Sequence, residues 1–148
     1  MQQTVWTGLL VLNALWFALG ARFFCVDAAG AARLLLPRAE RASPLLFAVA
    51  GAVRFLGAMN LAWLVFCLLL LAGQGLFAAP AQWACLAAVL ALVHAGQFAV
   101  NAHMALRHRR GRADSWAVLR GPMRLIFFVD LALAVANAAF AASVLAAA

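Results

Sequence analysis

The sequence predicts an all-α integral membrane protein, a four-transmembrane-helix bundle with both termini on the outer, periplasmic side. Three observations predict it: an apolar excess, four long apolar runs separated by Pro, Gly and charge, and arginine gathered mainly in alternate connections. Of 148 residues, 69% are hydrophobic and only 10% are charged, with a mean hydropathy of +1.03. Soluble domains carry about 25% charged residues. The deficit exceeds what a large core explains, so the outer surface is expected to meet lipid.

The first span is expected over 5–21, since about 17–25 residues cross a bilayer as a helix. Met1 to Thr4 hold no Lys or Arg, unlike the basic start of a cleaved signal peptide, so this helix is expected to be retained. Residues 22–43 carry Arg22, Asp27, Arg33, Arg38, Glu40 and Arg41 around Leu34 to Pro37 and predict a loop lying on the membrane. Ser43 and Pro44 offer an N-cap and first-turn pair for a second span over 45–72, ended by Gly73, Gln74 and Gly75. Pro80 suits the opening turn of a third span over 81–106. After an arginine-rich loop, Trp116 to Arg120 are expected at the interface, and Gly121 with Pro122 restarts a helix over 122–146. The whole chain, 1–148, reads as a single transmembrane domain.

Charge orients the bundle. The formal charge of +7 comes from eleven arginines against four acids, gathered mainly in the first and third connections, while the N-terminus, second connection and C-terminus carry none. Cytoplasmic loops hold such excesses, which predicts a multi-pass protein of the cell inner membrane. Arginines beside apolar spans meet anionic headgroups, so membrane lipids, and no nucleic acid, are the expected partners of the run Arg107 to Arg112. Trp6 and Trp83 then fall at the outer interface and Trp116 at the inner one, as aromatic belts do. Cys25, Cys67 and Cys85 lack metal-ligand spacing and read as packing residues, although a helical hairpin would bring Cys67 and Cys85 to similar depth.

Polar groups inside apolar runs are the candidate site. A central Asp or Arg costs about 2.5–3.5 kcal/mol to insert, so each needs a partner or a wet cavity. At 1.5 Å per residue, Asn13, Asn60, His94 and Asn137 fall roughly 12–18 Å from the outer ends of their helices, near mid-membrane. Arg54 and Asp130 fall roughly 9–15 Å from the inner face, a depth that permits an ion pair. His94, Gln97 and Asn101 lie within about 60° of one another on the third span, Asp130 and Asn137 share a face of the fourth, and His103 points away from His94.

For the asparagines, register-fixing interhelical hydrogen bonds of about 0.6 kcal/mol are the expected role. Arg54, His94 and Asp130 are expected to be functional, as intramembrane ionisable groups usually are. The leading expectation is a small ligand bound or transported in a polar pocket formed by Arg54, Asn60, His94, Gln97, Asn101, Asp130 and Asn137, with no metal and no cofactor. The alternative is an accessory or structural subunit of a homo-oligomer or larger membrane complex.

An enzyme is less expected, because no HExxH or GxSxG occurs and no serine lies near mid-membrane. A bis-histidine haem site needs two central histidines, and only His94 is central. Arg54 followed by Asn60 is similar to a helix-two pattern of four-helix membrane glutathione transferases, but tyrosine is absent and so is the acidic residue that follows in that family. The overall plan, the Leu-Leu-Leu-Pro segment at Leu34 to Pro37 and Arg54-Phe-Leu-Gly57 resemble small bacterial DoxX-like membrane proteins. That resemblance implies a four-helix fold, and in some members association with redox or stress complexes, without implying a reaction.

Overall fold

The computed structural model describes residues 1–73 and 75–147, so Gln74 within the expected Gly73 to Gly75 break, and Ala148, lie outside the described residues. Among the described residues there are helices and turns and no strand. Helix α1 spans Gln2–Ala21 and runs on through a π-helical turn, Arg22–Val26; α2 is Ala28–Leu35, followed by a 3-10 turn, Arg38–Ala42; α3 is Leu45–Ala72, α4 Pro80–Arg109 and α5 Gly121–Leu145. Four stretches, Gln2–Val26, Leu45–Ala72, Pro80–Arg109 and Gly121–Leu145, are long and apolar enough to cross a membrane. Helix α4, with 30 residues, is about 45 Å long, so its ends reach past a ~30 Å hydrocarbon core.

The spans are apolar around most of their circumference, because the outward faces that meet lipid and the inward faces that pack both exclude charge. Leu15, Phe47, Phe55, Leu92, Leu125 and Val135 are among the large apolar side chains exposed on the outside. Helix α1 packs along α3 and α4 along α5, and contacts between α1 and α5 join the two pairs. The half nearer the termini is closed by an apolar cluster that includes Trp6, Leu10, Cys67, Leu90, Phe140 and Val144. Trp6 and Phe140 stack there with ring centres 5.6 Å apart.

The expected membrane-surface loop 22–43 is instead mostly helical, and the reason is local. Asp27 caps α2 by accepting a hydrogen bond from the Gly30 amide at 3.2 Å, and Ala28, Ala32 and Leu36 recur at four-residue spacing to pack on Leu46 and Ala50 of α3. Replacing Asp27 with Ala is expected to lower stability by about 1 kcal/mol, measurable as a reduced midpoint in detergent unfolding. Ser43 does not cap α3: its hydroxyl donates to the Glu40 carbonyl at 2.8 Å, and Pro44 occupies the cap position. The three cysteines are free thiols, Cys67 buried and Cys85 exposed.

Candidate functional site

Four polar side chains from three helices meet in a buried layer across the bundle. Asn13 of α1, His94 of α4, and Asp130 and Asn137 of α5 are all buried, each 0% exposed. Their spacing along each helix brings them there: Asp130 and Asn137 are two turns apart on one face. His94 Nδ1 lies 3.0 Å from Asp130 Oδ1, and His94 Nε2 lies 2.8 Å from Asn13 Oδ1. Asn13 and Asn137 exchange amide hydrogen bonds at 3.3 Å in both directions. The ring of Phe17 stacks on His94 at 5.0 Å and 13°.

The hydrogen bonds determine where protons sit. Asn13 Nδ2 donates to the Leu9 carbonyl at 2.7 Å and Asn137 Nδ2 to the Leu133 carbonyl at 2.8 Å, which fixes the orientation of both amides. Asn13 therefore presents an oxygen to His94, and Nε2 must carry a hydrogen. Asp130 Oδ1 also accepts from Trp16 Nε1 at 2.9 Å. Two bare acceptors would repel at the Nδ1–Oδ1 distance, so one proton lies between His94 and Asp130, and the pair is neutral as a whole. Asp130 Oδ2 has no hydrogen-bond partner and is one of three such buried atoms among the described residues, with Arg107 Nε and Trp116 Nε1.

Beside this closed layer, in the half that bears the arginines, are two adjoining cavities. One of about 420 Å³ is walled by Trp16, Gly20, Phe23, Asn60 and Gln97, with the exposed residues Arg22 and Asp27 also on its wall. The other, of about 360 Å³, is walled by Leu35, Val53, Gly96, Asn101, Trp116 and Met123. Phe23, Phe24, Gln97 and Ile126 belong to both walls. The lining is mainly apolar. Among the described residues the Gln97 side chain has no hydrogen-bond partner, while Asn60 and Asn101 each spend an amide hydrogen on a carbonyl of their own helix, Leu56 and Gln97 respectively.

The seven residues expected to share one polar pocket are thus divided. His94, Asp130 and Asn137 belong to the closed network, and Asn60, Gln97 and Asn101 line the cavities. Arg54 belongs to neither. It is exposed on α3, and the expected ion pair with Asp130 is replaced by the bonds of Asp130 to His94 and Trp16. Arg54 lies nine residues from the start of α3, about 14 Å along it, near enough for a long side chain to reach toward the arginine-side interface. Asn60 sits at the expected depth but faces Gly20 of α1 rather than the other three.

Trp16 and Phe17 are the participants that polarity alone does not flag. Their signal is spacing: Asn13, Trp16, Phe17 and Gly20 fall at i, i+3, i+4 and i+7, one face of α1. Among the described residues no three His, Cys, Asp or Glu side chains converge as a metal site. No protein-family model, curated protein or solved structure matches the chain. The fold and site define the class by themselves: a four-span helical bundle with a buried hydrogen-bonded layer and paired cavities on one side of it.

Proposed function

We propose that the protein is a multi-pass inner-membrane protein, with both termini outside, that binds a small, largely apolar amphiphile in the paired cavities at its arginine-bearing end. The observation that carries this reading is the position of Gln97, an amide without a hydrogen-bond partner among the described residues, on the shared wall of two mainly apolar cavities. Their volumes fall in the range of small-molecule sites, about 300–1,000 Å³, which combine apolar walls with a few convergent polar groups. Gln97 supplies a donor and an acceptor there, and Asn60 and Asn101 each keep an amide oxygen. Phe23 and Phe24 supply flat contact surface, their own rings 5.2 Å apart.

Gly96 provides the test. A Cβ placed on it meets nothing within 4 Å, and the residue lies on the wall of the smaller cavity. Gly96→Leu is therefore expected to fill that space without strain, and to gain about 0.8–1 kcal/mol of helix propensity. Native mass spectrometry of protein extracted from its own membrane should show the wild type carrying a small molecule. Occupancy in Gly96→Leu should fall by about tenfold or more, equivalent to roughly 1.4 kcal/mol of binding. A wild type that emerges empty, or a variant that retains the molecule, overturns the reading.

A further inference from the structure

The closed polar layer separates two unlike halves of the bundle. Toward the termini it abuts the packed apolar cluster of Trp6, Leu10, Leu90, Phe140 and Val144. Toward the arginine-bearing end it adjoins the larger cavity through Trp16, which lines that cavity along with Gln97 and Ile126, one turn from His94 and Asp130 respectively. That indole is half-buried, lines the cavity, and donates its N–H to Asp130 Oδ1. This is the same oxygen that shares a proton with His94.

We infer that the His94–Asp130 couple is a proton-exchange site reached from the larger cavity, with the Trp16 indole as the movable partition. The cavity must be open for this, but nothing depends on which molecule occupies it. When the indole swings into the cavity, Asp130 Oδ1 loses one donor and the Nδ1–Oδ1 line becomes accessible. The proton on that line passes to water or to a basic atom of a molecule in the cavity, and a proton from the same side replaces it. No bond other than those to hydrogen changes, and no electron is transferred.

The geometry favours exchange over a static contact for two reasons. Oδ2 of Asp130 is sealed without a donor, so the carboxyl is held on one oxygen only and depends on Trp16 and His94 for all its compensation. Nε2 of His94 is held by Asn13, whose amide is fixed by Leu9, so the ring keeps its orientation while the proton on its other nitrogen moves. The ionisable groups around the couple are few. Helix α1 contributes Asn13 and Trp16, neither of which titrates, α4 and α5 contribute the couple itself, and the cavity wall adds Arg22 and Asp27.

The test uses the full chain in lipid nanodiscs with ¹⁵N-labelled histidine, the His94 signal being identified by its loss in His94→Gln. Exchange of the His94 imidazole hydrogen with water should be slow in the wild type compared with the exposed His103 and His108. Trp16→Ala should accelerate it by about tenfold or more, as opening of a sealed site does. Trp16→Phe keeps the ring but has no N–H to hold on Asp130; it should accelerate exchange less, and it carries the test if Trp16→Ala does not fold. Val144→Ala, which loosens the sealed half, should leave the rate unchanged. Wild-type exchange as fast as that of His103, no acceleration in either Trp16 variant, or an equal acceleration in Val144→Ala would each overturn the proposal.

Discussion

Replacing His94 with Leu is expected to lower stability by about 3–5 kcal/mol, the usual consequence of removing one member of a buried ionisable pair. The size of the effect discriminates between two accounts of the layer. If His94 only made ordinary interhelical bonds, losing its contacts to Asp130 and Asn13 would amount to about 1 kcal/mol, at roughly 0.6 kcal/mol each. The larger loss arises because Asp130, 0% exposed, is left with an unpartnered oxygen on one side and a single indole donor on the other. The double variant His94→Leu with Asp130→Leu should be more stable than His94→Leu alone, since no buried ionisable group then lacks its partner and Asn13 retains its bond to Asn137. Unfolding in mixed micelles of increasing SDS content measures all three proteins. A double variant less stable than the single one would show that the layer acts by packing, with Phe17 on His94 as the main term.

How much of this was legible in the sequence depends on which coordinate of a residue is asked for. Span number and depth were legible, because apolar length and a 1.5 Å rise fix position along the helix. Asn13, His94 and Asn137 share the expected layer for that reason. Rotation within one helix was legible too: His103 is exposed, on the side away from His94. What a single sequence does not hold is the mutual rotation of two helices. Arg54 and Asp130 have similar depth and opposite charge, yet α3 packs on α1 while α5 packs on α4, so the arginine turns outward and Asp130 finds a histidine and an indole.

The cavities were illegible for a different reason. Empty space between helices leaves no mark in composition, and its walls are Phe, Leu, Ile and Gly residues that read equally well as lipid-facing. The segment 22–43 reads as a loop because its charges resemble those of a solvated one, whereas it is mostly helical. The apolar spacing of Ala28, Ala32 and Leu36, and Asp27 three residues before Gly30, were the available signs of a capped helix.

Gly57→Val is expected to be the most damaging glycine substitution, and its comparison with Gly96→Ala tests how the cavity wall is built. The π-helical turn at Arg22–Val26 widens the end of α1 and brings its backbone against α3. A Cβ on Gly57 would stand 2.7 Å from the Cys25 amide nitrogen and 2.9 Å from the Phe24 carbonyl carbon. Those are main-chain atoms, which cannot rotate aside as a flexible side chain does. The expected cost of Gly57→Val is therefore about 3 kcal/mol, the upper end of ordinary overpacking. Relief requires the turn to move, and Phe23 and Phe24, which line both cavities, move with it, so the same variant should also lose the small molecule that we propose the cavities bind. Gly96→Ala adds the same first carbon in a mid-helix position with nothing within 4 Å, and should instead stabilise the protein by about 0.5–1 kcal/mol through helix propensity. Equal and small effects at the two positions, measured as shifts in the SDS unfolding midpoint, would mean that the π turn does not rest on α3 and that the cavity wall is set elsewhere.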